Sequence, residues 1–127
     1  MNCNVLIVDD SPILRAAVKK VVSLTGVPDD HIFQAGNGVE ALEALDQRWI
    51  DLVLLDLNMP VMSGEEFVQE VRQRPELDGL AIVVVSTEAN QQRLARLAEL
   101  GVTESLHKPF EPEDLCQLIH RALGVRP

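Results

Sequence analysis

Four polar clusters carry the chemical potential of this sequence, and each closes an apolar run. Asp9-Asp10 follows Val5 to Val8, Asp56 follows Leu52 to Leu55, Ser86-Thr87 follows Leu80 to Val85, and Lys108 closes Thr103 to His107. Three carboxylates gathered at one place repel, and each raises the pKa of the others. A hard divalent cation removes that repulsion; Mg2+ favours oxygen ligands, takes few carboxylates and keeps waters. A lysine on the same rim leaves a cavity with a cation on each side, suited to a doubly charged tetrahedral anion. An aspartate can itself accept a phosphoryl group as an aspartyl phosphate. Metal and lysine then stabilise the equatorial oxygens of an in-line transfer. Taken alone, Asp56 has a blander reading as an exposed loop acid just past a strand, and the elements around it decide between the two.

Those elements must be strands that end together. Leu52-Val53-Leu54-Leu55 lies between Asp51 and the Pro60 loop, too short for a helix and too apolar for an exposed strand. It reads as a central strand of a parallel sheet, covered on both faces. Asp56 then stands at the carboxyl edge, where open α/β sheets bind ligands. Val5 to Val8 is a second such strand, followed by Ser11 and Pro12 as helix cap and first helical residue. Leu14, Val18, Val21 and Val22 share a helix face that Gly26 ends. His31 to Ala35 is a weaker strand, and Gly36-Asn37-Gly38 a turn. A helix from Val39 turns Leu42 and Leu45 inward and stops before Trp49, read as half-buried. Val61-Met62-Ser63-Gly64 is a loop, and Glu65 and Glu66 open a helix whose buried face is Phe67, Val68 and Val71. Leu80 to Val85 is a third apolar strand, followed by a helix with Leu94, Leu97 and Ala98 inward. Thr103 to His107 is an edge strand, and Leu115, Leu118, Ile119, Ala122 and Leu123 mark a last amphipathic helix. Five strands alternating with five helices make a doubly wound α/β sheet.

Composition bounds the function. The chain has 127 residues, 46% hydrophobic and 24% charged, which fits one globular domain with a sizeable core. Eleven basic against twenty acidic residues leave a net charge of −9, which argues against nucleic-acid or anionic-membrane partners. Cys3 and Cys116 lack metal or redox spacing and read as reduced thiols. With no membrane-spanning apolar run and no signal peptide, the expectation is a cytoplasmic protein.

Asp9-Asp10, Asp56 with Asn58-Met59-Pro60 and Gly64, Ser86, and Lys108-Pro109-Phe110 together resemble the receiver domain of two-component signalling, the CheY-like response regulators. Each motif is weak alone; their order and spacing over the whole chain are specific. The resemblance implies a (βα)5 flavodoxin-like sandwich with sheet order 2-1-3-4-5, one receiver domain over residues 1–127 with an ordered core of about 4–124. It implies a phosphoacceptor rather than an enzyme with turnover, taking its phosphoryl group from a histidine kinase or phosphotransfer protein with Mg2+. Asp56 resembles the phosphoacceptor. Asp10 would ligate Mg2+ directly, Asp9 mostly through water, with the backbone carbonyl of Asn58 as a third protein ligand. Ser86 would hydrogen-bond one phosphoryl oxygen and Lys108 pair with another. Met59, Pro60 and Gly64 shape the loop after the acceptor, and Pro109 resembles the family's cis-proline. Two positions depart from the pattern. Ser105 stands where an aromatic switch residue is common, and Thr87 is bulkier than the usual small residue. Activation is therefore expected to run through Ser86, Thr87 and the fourth helix, with an output face across the fourth helix, fifth strand and fifth helix from about Glu88 to Leu123.

Other functions have specific requirements. An aspartate-nucleophile phosphohydrolase using Mg2+ needs a general acid two residues after the nucleophile, and Asn58 cannot serve. A non-phosphorylated interaction module would have a broken acidic pocket, and a flavodoxin-like flavin carrier needs a flavin-phosphate loop that no strand end offers. His31, His107 and His120 share no site. Met59 and Met62 read as loop packing. Glu111, Glu113 and Asp114 favour a helix N-terminus, and Gln91, Gln92, Arg93 and Arg96 read as a solvated helix face.

Overall fold

The apolar runs become strands because neither of their faces tolerates water. In a computed structural model that describes residues 3–87, 90–102 and 104–124, they form β1 (Val5–Val8), β2 (Ile32–Ala35), β3 (Leu52–Leu55), β4 (Ala81–Ser86) and β5 (Glu104–His107). Every pairing is parallel and the order is β2-β1-β3-β4-β5, a doubly wound sheet. All four residues of β1 and of β3 are buried, whereas the edge strand β5 alternates between half-buried and exposed. The helices are α1 (Pro12–Leu24), α2 (Gly38–Gln47), α3 (Gly64–Arg72), α4 (Gln91–Glu99) and α5 (Pro112–Ala122).

Strand alternation splits the core in two. Leu6, Val8, Val53, Leu55, Ile82 and Val84 pack with residues of α2 and α3 and with Leu97 of α4. Val5, Ile7, Leu52, Leu54, Val83 and Val85 pack with Val18, Val22, Leu115, Leu118 and Ile119 of α1 and α5. Successive strand residues point to opposite faces, so each central strand feeds both layers.

Helix starts follow their caps. Ser11, Asn37, Ser63 and Asn90 each accept a bond from a backbone N–H in the first turn. Two starts differ from expectation for that reason. The Asn37 cap makes Gly38, not Val39, the first residue of α2, and a Ser63–Glu66 capping box pulls Gly64 out of the loop into α3. His31 belongs to a short 3-10 turn ahead of β2, and β4 begins at Ala81. Trp49 is 69% exposed rather than half-buried, because its indole N–H bonds Asp51 Oδ1 (2.9 Å) outside the core. Leu14 is exposed at the start of α1, and in α4 only Leu97 is buried. Thr103 and Glu88 lie outside the described residues. Cys3 and Cys116 are free thiols. Among the described residues no helix is long and apolar enough to cross a membrane.

Candidate functional site

Register brings the acids together. Val8 pairs with Leu55, so the residues that follow, Asp9 and Asp56, leave adjacent strands at the same level. The Asp56 N–H extends the ladder, donating to Val8 O at 2.9 Å. Asp9 and Asp56 are only 4% and 8% exposed, while Asp10 faces solvent. One carboxylate oxygen from each of the three lies within 4.8 Å of the others.

Ser86, the last residue of β4, is fully buried, and its hydroxyl lies beside the Asp56 carboxylate, which it helps to hold ionised. Lys108, just past β5, extends its chain toward β1. Its Nζ donates to Asp9 Oδ2 at 2.8 Å and lies 4.0 Å from Asp56 Oδ1. Its backbone N–H bonds Ser86 O (3.2 Å), and the Lys108–Pro109 peptide is cis. Asp9 is held at both oxygens, since Oδ1 accepts the Ser11 N–H at 2.9 Å. Asp56 is the less compensated buried acid. Burial pushes its carboxyl above the ordinary range; Lys108 opposes that rise, Asp9 adds to it, and bonds from the Ser86 hydroxyl and the Asn58 backbone oppose it. The cavity beneath these groups, lined by Ile7, Val18, Leu54 and Val85, is about 10 Å³, room for about one water. A groove of about 620 Å³ runs along α1 past Lys19 and Lys20 and touches none of the three acids.

The loop after the acceptor is clamped at both ends. Gly64 N–H donates to Leu57 O at 3.1 Å, and a Cβ at Gly64 would stand 2.8 Å from Leu57 Cα and 3.2 Å from Asp56 O. A Cβ at Gly38 would stand 2.7 Å from Met62 Sδ, so the start of α2 presses on the same loop. Between these clamps Met62 N–H bonds Pro60 O (2.7 Å) around Val61, whose φ is +71°, a γ-turn that a β-branched residue enters only under constraint. Met59 is half-buried; Asn58 and Pro60 are exposed. Thr87, Ser105 and Pro109 are exposed as well.

The structure thus gathers Asp9, Asp10, Asp56, Ser86 and Lys108 at one mouth and leaves Ser105 outside it. Two features escaped the sequence reading. The capping box had a signal, the Ser-x-x-Glu spacing at Ser63 and Glu66. Arg93, expected on a solvated face, is instead paired with Glu65 through Nε–Oε2 (2.6 Å) and Nη2–Oε1 (2.7 Å), a contact between α4 and α3 with no local signal.

Comparison with known proteins agrees with this geometry. Residues 5–120 match the response regulator receiver domain family. A chemotaxis protein CheY homolog from Campylobacter jejuni is 32% identical over 94% of this chain and 92% of its own length. The nitrate/nitrite response regulator protein NarL of Escherichia coli is 37% identical over 93% of this chain, which spans about half, 53%, of that protein. Chemotaxis response regulator CheY4 of Vibrio cholerae superposes with a TM-score of 0.87 at 33% identity, covering 97% of this chain and 100% of that one. The receiver domain of sensor histidine kinase PA1611 from Pseudomonas aeruginosa, which holds a magnesium ion in its active-site cleft, gives a TM-score of 0.85 at 21% identity over 98% of this chain and 99% of that one, a likeness of fold alone.

Proposed function

This chain belongs to the response regulator receiver domain family, and from that premise we propose that it accepts a phosphoryl group on Asp56 from a phosphohistidine. The observation that carries the reading is the meeting of three carboxylates within 4.8 Å beside a lysine. In the transfer, an Asp56 carboxylate oxygen attacks phosphorus, the phosphorus–nitrogen bond breaks, and the imidazole leaves with its electron pair. Lys108, placed between Asp9 and Asp56, pairs with an equatorial oxygen, and Ser86 donates to another.

The donor set fits Mg2+: hard oxygens only, one exposed acid and two buried ones. Asp10, whose carboxylate is open to solvent, would ligate directly. Asp9, with both oxygens engaged by Ser11 and Lys108, would act through water, and Asp56 and the Asn58 carbonyl would complete the protein ligands. The bound cation supplies the charge that stabilises the transferring group. The residues meanwhile hold the acceptor in line and exclude bulk water from it.

Steady hydrolysis of small phosphoesters is not the function proposed. Asn58, two residues past Asp56, is a carboxamide with no acidic proton to give a leaving group. The donor would seat on the apolar residues at this edge, Ile13, Leu14 and Val61, which are 81%, 43% and 79% exposed. Output would pass by docking or onward transfer through the face formed by α4, β5 and α5, in the cytoplasm and as a single receiver unit. Ser86 and Thr87 would carry the switch, with Ser105 contributing little. Acetyl phosphate with Mg2+ tests the acceptor. Intact mass should show one added phosphoryl group in the wild type and none in Asp56→Asn; equal labelling of both would refute the assignment.

A further inference from the structure

Helix α4 is loosely seated. It buries one residue, Leu97, against the core, whereas α3 buries Gly64, Phe67, Val68 and Val71. Two arginine contacts to α3 compensate. At the C-terminal end, Arg72 of α3 donates to Leu100 O (2.8 Å) and Gly101 O (3.5 Å). At the N-terminal end, Arg93 grips Glu65 with two parallel bonds of 2.6 and 2.7 Å. Both side chains are largely shielded, 26% exposed for Arg93 and 14% for Glu65, and the guanidinium holds the Glu65 carboxyl below its usual range.

The placement of that second contact matters. Glu65 follows Gly64, which is locked against Leu57 one residue past the acceptor. Arg93 lies in the first turn after Asn90, and Asn90 is four residues after Ser86. The pair therefore spans from the acceptor loop to the segment that leaves the phosphoryl-sensing hydroxyl. We propose that Glu65–Arg93 is a resting-state clamp on α4 that phosphorylation must release, which rests on Asp56 being the acceptor.

The physical case is one of short range. The buried Ser86 hydroxyl lies close enough to the Asp56 carboxylate to lower its pKa; the oxygens of a phosphoryl group on Asp56 lie further out, so the hydroxyl must re-aim. Charge-assisted bonds fade beyond about 3.2 Å, so a shift of roughly 1 Å between the first turns of α4 and α3 breaks at least one arm. Helix α3 is the fixed side of the pair, tied to the acceptor strand by the Gly64 N–H bond to Leu57 O (3.1 Å) and by four buried residues against the one of α4. An interaction lost on phosphorylation opposes it, and by linkage its removal favours the phosphoryl-bound state.

Beryllofluoride with Mg2+ is the probe, titrated into the whole chain by NMR, with thermal unfolding to show that each variant is folded. Glu65→Gln and Arg93→Gln should each tighten binding about five-fold. The double variant should bind no more tightly than either single one, the mark of a shared pair. The charge swap Glu65→Arg with Arg93→Glu should return affinity toward wild type. Unchanged or weaker binding in the folded single variants, or two effects that simply add, would overturn the clamp. If the wild type does not bind beryllofluoride, or Asp56→Ala binds it equally well, the acceptor reading itself falls and the clamp falls with it.

Discussion

Strand β3 is bracketed by two aspartates, Asp51 before it and Asp56 after it, on one chain segment and against the same neighbour strand. Asp51 is at the amino edge and is satisfied: Oδ2 accepts the Asn4 N–H at 2.8 Å and Oδ1 the Trp49 indole N–H at 2.9 Å. Asn4 in turn reaches Trp49 O and accepts the Asp51 N–H, so this acid is a rivet between β1 and the turn before β3. Asp56 is at the carboxyl edge, where helices leave the sheet and loops diverge. It is more buried, faces another carboxylate, and shares its lysine with Asp9. The same residue type thus has its charge met by local donors at one edge and is left under-compensated by burial at the other. An under-compensated carboxylate is poised to take a cation or a phosphoryl group, since either relieves its burial.

Replacing each acid in turn sharpens that contrast. The largest difference is in labelling by acetyl phosphate. It should vanish in Asp56→Asn and persist in Asp51→Ala, and loss of labelling in a folded Asp51→Ala would erase the distinction between the two ends. Metal comes next. Mg2+ should raise the melting temperature of the wild type, and Asp10→Asn should weaken Mg2+ about tenfold by calorimetry, while Asp51→Ala leaves it unchanged. An Asp10→Asn protein that binds as tightly as wild type would remove Asp10 from the ligand set.

Stability without metal should move in opposite directions at the two ends. Asp51→Ala strands the Asn4 and Trp49 donors and should cost about 1–2 kcal/mol in urea unfolding. Asp56→Asn should raise stability at neutral pH. The sign follows from linkage. The folded carboxyl has a raised pKa, so its contribution is fully present below the ordinary aspartate range and is lost as pH rises through the folded value. The gain from Asp56→Asn should therefore shrink as pH falls toward 4 and below; a gain independent of pH would mean that burial of the charge is not its cause. The smallest effect marks the limit of the reactive edge. With beryllofluoride bound, Ser86→Ala should shrink amide shifts along α4, whereas Ser105→Ala, altering an exposed side chain, should leave them nearly unchanged. A lost distant response in Ser105→Ala would place position 105 inside the switch.

Much of this was legible in residue order. Uninterrupted apolar runs such as Leu52 to Leu55, too short for a helix, read as two-face-buried strands, and their alternation with amphipathic helices fits a parallel sheet whose polar terminators share one edge. That was enough to nominate Asp9-Asp10, Asp56, Ser86-Thr87 and Lys108, because a strand end is a local property of the chain; the choice of Ser86 over Thr87 came from the resemblance. Helix starts were less legible. Side-chain caps at Asn37 and Ser63 moved two of them by a single residue, since hydrogen bonding of the first turn competes with hydrophobic period.

What the tertiary structure alone decided are pairings between groups far apart in sequence. That Lys108 lies nearer Asp9 than Asp56, that Asp9 is held at both oxygens while Asp10 is open, and that Arg93 leaves solvent to grip Glu65 all depend on the spacing of packed elements. Hydrophobic periodicity says which face of a helix turns inward. It does not carry the ångström-scale distance between two charged tips on different helices, and an ion pair exists or fails within that distance.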